Sequence, residues 1–423
     1  MMKAIYINKK MALVSTLDNL GNTCYINATI QMLARTPQFL AYFLKQNTQL
    51  IGDLKRNIIM RKKEEKKEEK KELIISRSDI DQELNKTFTF QLGRLFKVMF
   101  EDTQVIKPIS LVKFIKTKFL DYDDKPKFAG AQQQDAQEFL SAVLQTIEKE
   151  TCYSIENIRY KEHLMSEEQK LIQSKLTILE SVLEENTKQK NKQEIQNNLL
   201  EINKLYEMDN DFFLKIKSVS AWNDGSKKTT YSFINDIMSG INMTSAVCNT
   251  CNIKTFKFEK SDILTLNFPQ QVKKENYDIH ELLTEFYSTE IFNGDNKFFC
   301  SYCDSKQDKI RKTQLYQPPN ILVIMIKRWE YNGVSMKKNN SKVSYPHNLS
   351  MKDYISQQDE NNYELYSVIR HSGGSGGGHY YNYSKNMLDN KWYRFDDDDV
   401  YLVNDDEALE CNGYILCYKL SQI

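Results

Sequence analysis

The chain carries no excess of either charge. Its 58 Lys and Arg face 57 Asp and Glu, a formal net charge of +1. A basic nucleic-acid footprint is therefore not favoured, because phosphate binding asks for a clear cationic surplus. Long apolar runs are missing too. No stretch approaches the roughly eighteen apolar residues of a membrane span, and MMKAIYINKKMALVS at the start holds no core for a secretory signal. The expectation is a soluble, intracellular protein, cytoplasmic or nuclear or both, with no nucleic acid and no membrane among its partners. Cysteine is modest at eight residues, and disulfides are not expected in a reducing compartment. Histidine is scarce: only His163, His280, His347, His371 and His379.

What is present supports a real core. Hydrophobic residues make up 40% of 423, enough for one large domain or two ordinary ones. Ile26, Ile30 and Leu33 recur at helical spacing within 22–36, with Pro37 closing the run. Leu140, Val143, Leu144 and Ile147 define the inward face of a second helix in QQQDAQEFLSAVLQTI, residues 132–147. Two heptad-like runs, Ile172/Leu176/Leu179/Leu183 and Ile195/Leu199/Ile202/Tyr206, flank a polar segment at 186–192. They predict an antiparallel helical hairpin, either a partner-binding arm or a self-packed insertion. The charge run MRKKEEKKEEKKE, 60–72, reads as a surface insertion, solvated helix or disordered. Beyond about 230 the texture changes to short β-branched and aromatic segments such as NILVIMIKRW and HYYNYSK, punctuated by turn residues. A helical first half and a strand-rich second half predict an α+β fold.

Four cysteines fall in two pairs, Cys248/Cys251 (CNTC) and Cys300/Cys303 (CSYC). Each CxxC turn can supply half of a tetrahedral zinc site, and a closed four-sulfur site leaves no open position for catalysis. One structural Zn2+ per chain, with no organic cofactor, is the expectation. Cys24 stands apart, at the predicted start of a helix. Unpaired amides and the helix dipole there favour a thiolate, although a buried inert cysteine is the plainer reading of that residue alone. A thiol nucleophile needs a base and a group to orient it. His371 and His379 flank the loop SGGSGGG. His379 opens the strand HYYNY, and the acidic end FDDDDV, Asp396 to Asp399, follows. A hairpin between them would set a carboxylate against the imidazole.

Six ordered motifs together resemble the ubiquitin-specific protease family of deubiquitinating enzymes. NLGNTCYINATIQ is similar to its cysteine box, and QQQDAQEFL to the box after it. The CxxC pairs match zinc-bearing fingers. QPPNILVIMIKRW, GGHYYNYSKN and KWYRFDDDDV with GYILCY resemble its later strands and histidine box. Thr16 stands where the family usually has glycine, and Trp329 where it has phenylalanine. Cys411 and Cys417 read as buried. The resemblance implies a papain-like fold of helical thumb, antiparallel β palm and fingers. It implies one catalytic domain over 1–423, with the thumb at about 16–150, a helical insertion at about 155–215 and fingers and palm at about 230–423. It assigns Cys24 as nucleophile and His379 as base. Asp396 orients the histidine with help from Asp397, and Asn19 stabilises the oxyanion. Gln134, Asp135 and Tyr380 bind the extended substrate tail. Ubiquitin and ubiquitinated proteins are the expected partners, with a further protein partner at the helical insertion. The alternatives are a protease for another ubiquitin-like modifier, an inactive ubiquitin-binding scaffold, or a zinc-stabilised interaction module. Both insertions, 52–75 and 155–215, are expected in the thumb half, away from the fingers.

Overall fold

The computed structural model describes residues 14–44, 47–69, 76–101, 104–120, 123–130, 133–155, 165–222, 229–269, 273–331, 333, 335–356, 361–374 and 377–421. His163, residues 156–164 of the expected insertion, residues 70–72 of the charge run and residues 375–376 of the glycine loop lie outside them.

The first half is helical: α1 (Cys24–Ala34), α2 (Pro37–Leu44), α3 (Asn47–Glu69), α4 (Arg77–Asn85), α5 (Phe88–Glu101), α6 (Ile109–Lys118) and α7 (Ala136–Thr151). Pro37 opens α2, where its missing N–H costs nothing. The charge run continues α3 as helix as far as Glu69, with Arg61 paired to Glu65 and Glu83. The apolar period marks one face of α1, yet all eleven of its residues are buried. The reason is its place between α7 and the large sheet of the second half. Most of its buried polar groups find partners: Gln31 Nε2 donates to Ser15 O at 3.0 Å and Thr29 Oγ1 to Tyr25 O at 2.8 Å, whereas Asn27 Oδ1 has none among the described residues. In α7, Leu140, Val143, Leu144 and Ile147 are all buried, as their spacing predicts.

The expected helical hairpin forms as α8 (Glu167–Gln189) and α9 (Lys192–Met208), followed by α10 (Asn210–Ser218). A capping box at Ser166 starts it, and left-handed Lys190, φ 57°, turns it. Ile172 and Leu176 pack with Leu205, Phe212 and Phe213. The hairpin does not sit away from the fingers, as its sequence position suggested. Its apolar seam is completed by Phe256 of the finger sheet, whose ring lies 4.8 Å from Tyr206. Gln196 Nε2 donates to Tyr302 O at 2.6 Å, and Lys192 pairs with Asp304, so α9 reaches the second CxxC turn. Burial decides this placement: the apolar stripe of the hairpin and the half-covered sheet each need a partner surface.

The strands that build the two large sheets and the hairpin beside them are β1 (Gly240–Cys248), β2 (Lys254–Ser261), β3 (Leu264–Leu266), β4 (Thr289–Phe292), β5 (Lys309–Gln317), β6 (Ile321–Ile326), β7 (Trp329–Tyr331), β8 (Met336–Lys338), β9 (Asn362–Gly374), β10 (Gly377–Lys385), β11 (Trp392–Asp396), β12 (Asp399–Val403) and β13 (Ile415–Leu420), with short Asn348–Ser350 paired to β9. The finger sheet has the antiparallel order β2-β1-β5-β4. The palm sheet runs β12-β11-β10-β9-β13-β6-β3, antiparallel except for β6 with β3. Every residue of β6 is buried, as befits a strand covered on both faces. One face of the palm sheet packs on α1 and α7, the other on a second core around Tyr277, Ile324 and Trp392. This sandwich brings the start of α1 and the ends of β10 and β11 together.

Candidate active site

Cys24 is the first residue of α1 and is 3% exposed. Gly21 (φ 92°) and Asn22 (φ 51°) take left-handed conformations in the preceding turn, which only glycine and a few polar residues adopt readily. Asn19 holds that turn. Its Oδ1 accepts from Gly21 N (3.0 Å) and Thr23 N (3.1 Å), while its Nδ2 donates to Asp397 Oδ2 at 2.7 Å.

His379 lies near the start of β10, close enough to Cys24 for the thiol to act on its titration. Its Nε2 stands 2.6 Å from Asp396 Oδ1 and 3.9 Å from Asp397 Oδ2. The hydrogen bond to Asp396, then that to Cys24, pushes the imidazole up to about 10. The same hydrogen bond holds Asp396 below its ordinary value, with Arg394 assisting. Asp397 is displaced upward by burial, against hydrogen bonds from Asn27 and Asn19. Its Oδ1 accepts from Asn27 Nδ2 at 2.8 Å and its carbonyl from Leu17 N at 3.1 Å, so it ties the cysteine turn and α1 to the end of β11. Arg35, at the end of α1, lies 3.6 Å over the Phe395 ring and anchors β11 from the other side.

The expected tail-binding residues take different places. Asp135 caps α7, its Oδ1 accepting from Gln137 N (2.8 Å) and Glu138 N (3.1 Å). Its Oδ2 accepts from Tyr414 OH at 2.7 Å and Tyr380 OH at 3.3 Å. Tyr380 is buried, its ring 4.6 Å from that of His371. Gln134 is half-buried. Sequence reasoning missed Gln133, whose Nε2 lies 3.1 Å from Cys24 Sγ and 2.8 Å from Gly378 O, bridging the helical half and the palm across the thiol. Three consecutive glutamines precede Asp135, and only geometry separates them.

His371 is a different kind of residue from His379. It is 7% exposed, and its Nδ1 is 2.9 Å from Lys338 Nζ, which also donates to His371 O (2.8 Å) and Gly373 O (3.0 Å). Burial, and then the charges of Lys338 and His379, push it down to about 4. A neutral imidazole is thus packed behind Gly378. The other described histidines also lie elsewhere: His280 Nδ1 meets Tyr354 OH at 3.3 Å, and His347 Nε2 lies 3.9 Å from Glu364.

At the finger tip, Cys248, Cys251, Cys300 and Cys303 bring their sulfurs within 4.8 Å of one another. Cys248–Cys303 is 4.0 Å and Cys251–Cys300 is 3.8 Å. These are too long for disulfides. They match the edge of a tetrahedron with metal–sulfur bonds of about 2.3 Å, roughly 3.8 Å. Asn252 (φ 58°) and Asp304 (φ 50°) follow the two CxxC turns in left-handed conformations. The four cysteines therefore form a site able to hold one metal ion.

A thiol at a helix start, an imidazole beside it and a carboxylate on that imidazole are the working groups of a cysteine hydrolase. Residues 15–418 match the family model described as ubiquitin carboxyl-terminal hydrolase. The chain is 28% identical over 447 residues to a probable ubiquitin carboxyl-terminal hydrolase of Acanthamoeba polyphaga mimivirus, covering 97% of this chain and 91% of that one. It is 24% identical over 423 residues to ubiquitin carboxyl-terminal hydrolase 4 of Saccharomyces cerevisiae, covering 95% of this chain and 39% of the yeast protein. Its fold resembles a chain of the SAGA DUB module Ubp8/Sgf11/Sus1/Sgf73 bound to monoubiquitin, with TM-score 0.63, 18% identity, and 100% and 75% coverage. The same module bound to ubiquitin aldehyde gives TM-score 0.61, 18% identity, and 97% and 70% coverage. The chain belongs to the ubiquitin carboxyl-terminal hydrolase family, the cysteine-type deubiquitinating hydrolases. Among its described residues, no helix is long and apolar enough to cross a membrane.

Proposed function

We propose that this chain hydrolyses the peptide or isopeptide bond after the C-terminal glycine of ubiquitin, with Cys24 as nucleophile and His379 as its proton partner. The observation that carries this reading is the 2.6 Å hydrogen bond from His379 to Asp396, made beside the Cys24 thiol at the start of α1. His379 takes the thiol proton. The Cys24 thiolate attacks the glycine carbonyl, and the tetrahedral oxyanion collapses to a thioester. His379 gives its proton to the departing amine. It then takes one from the water that hydrolyses the thioester, and returns it to Cys24. Asp396 holds the ring and stabilises its charged form. Asn19 offers a second amide N–H beyond the one bound to Asp397, for an oxyanion contribution of about 3 kcal/mol. Gln133 lies close enough to Cys24 to join it.

The ubiquitin tail, Leu-Arg-Gly-Gly, enters between the Gln133–Asp135 segment and the exposed strand at Gly377 and Gly378. Glycine admits glycine there and resists bulkier ends. Tyr380 and Tyr414 hold Asp135, so Tyr380 acts on the tail through that carboxylate. The four finger cysteines bind one structural zinc. Residues 1–423 work as one catalytic domain, in which the hairpin of α8 and α9 braces the fingers.

The deciding experiment is reaction with ubiquitin carrying a C-terminal electrophile, read by intact mass. A single-ubiquitin adduct on wild type and none on Cys24→Ala is the expected result. No adduct on folded wild type rejects the reading, and adducts with another modifier in its place would redirect it. Gly378→Ala gives a second expectation. A Cβ there would lie 2.3 Å from both His371 Nε2 and Ser372 O, so the strand carrying His379 must shift. Steady-state kinetics should show kcat reduced about 10²-fold or more, with Tm lowered as well because the overlap includes a backbone oxygen.

A further inference from the structure

A groove of about 1100 Å3 opens on the palm between the segment after β3 and the β7–β8 hairpin. Lys273, Lys274, Lys327, Lys337 and Lys338 line it together with Trp329, and among the described residues Glu330 is the one carboxylate in its wall. Lys338 is spent on His371 and Gly373, and Lys274 pairs with Glu281. Lys273, Lys327 and Lys337 are exposed, and among the described residues they have no ionic partner. In a chain whose net charge is +1, such a cluster is not a by-product of overall basicity. Its mutual repulsion works against folding.

The groove is also preformed. Ser341 Oγ donates to Lys274 O at 2.9 Å and Lys327 N to Leu266 O at 2.8 Å, which ties its walls together. Its inner end adjoins the candidate active site. Lys338 holds His371, whose ring backs Gly378, and Gly378 O accepts from the same Gln133 amide that meets Cys24.

We infer that this groove binds an acidic segment of the ubiquitin-conjugated protein. The inference rests on the hydrolase reading of Cys24 for its choice of a protein ligand. Lys273, Lys327 and Lys337 supply the complementary charge, and the Trp329 ring supplies an apolar contact for a side chain between acidic residues. Binding here increases the local concentration of the scissile bond at Cys24, lowering KM for acidic substrates and leaving kcat alone.

The test uses the full chain and a labelled Glu/Asp-rich peptide containing one phenylalanine, followed by fluorescence anisotropy at low and near-physiological salt. Wild type should bind with salt-sensitive affinity. The combined Lys273→Glu, Lys327→Glu, Lys337→Glu variant should bind about tenfold or more weakly, and the matching Lys→Gln variant should fall between. With ubiquitin fused through its C-terminus to the acidic peptide, the Glu variant should show a higher KM at unchanged kcat. A neutral fusion should be unaffected. Equal peptide binding by wild type and variant overturns the inference, as does stronger binding of an oligonucleotide of equal charge. Reactivity with the ubiquitin electrophile is read in parallel on each variant. Its failure counts against the role of Cys24, whereas failed peptide binding alone counts against the groove.

Discussion

His379→Ala is expected to lower turnover of ubiquitin conjugates by at least about 10³-fold, whereas His371→Ala should keep the fold and part of the activity. Removing a general acid–base that also ionises the nucleophile forfeits two functions at once. Its loss should not add to that of Cys24, because the two act as a unit. His371 cannot take over: it is buried behind Gly378 and pushed down to about 4. The pH dependence separates the two further. His379 is raised to about 10 by Asp396 and then Cys24, so its acid form persists through neutrality and the alkaline limb of the rate profile should fall near that value. Asp396→Asn removes the first cause and should move the limb toward neutral pH. The folded state holds this proton more tightly than the unfolded state, whose histidine titrates near about 6.5. The stability it contributes is fully present below that value and lost as pH rises toward about 10. Denaturant unfolding of wild type should therefore weaken across this window, and the decline should flatten in Asp396→Asn. A rate profile unchanged by Asp396→Asn, or turnover that survives in His379→Ala and vanishes in His371→Ala, would mean the wrong histidine has been chosen.

Cys248→Ser is expected to lose most bound zinc and to lower Tm by about 10 °C or more. Wild type should contain close to one zinc per chain by metal analysis. Structural zinc sites contribute several kcal/mol or more of folding free energy, and each kcal/mol is worth about 2–4 °C in domains of a few hundred residues. The damage should spread beyond the finger tip, because α9 leans on the second CxxC turn through Gln196 and Lys192. Hydrogen exchange should therefore quicken in α8 and α9 as well as at the ends of β1 and β5. Undiminished zinc in Cys248→Ser would remove the four-cysteine assignment altogether.

Much of the architecture was legible because it is written in local periods. The i, i+4, i+7 runs marked α1, α7 and the α8–α9 hairpin, and the alternating aromatic segments marked the palm strands. The two CxxC pairs marked the finger tip. Cys24 stood out from its Asn/Gly turn at a helix start. What could not be read depended on distance across the fold. Four consecutive aspartates have nearly the same local chemistry, so only the family resemblance singled out Asp396; the β11 to β12 turn sets Asp396 against His379 and sends Asp397 toward Asn19 and Asn27, ties that no local pattern marks. Gln133 and Gln134 are equivalent as letters, and the fold sets the Gln133 amide 3.1 Å from Cys24 Sγ.

The sequence by itself determined the element types, the helical and strand-rich halves, the paired cysteines and the residue types for thiol chemistry, since backbone preference and apolar spacing act within a few residues. Only the tertiary structure decided that Asp397 ties Asn19 and Asn27 to the site, which glutamine spans the cleft, that the hairpin braces the fingers, and that five lysines from three separate segments line one groove. Those outcomes follow from how the layers pack, because burial fixes positions among residues whose separation in the chain says nothing of their distance in space.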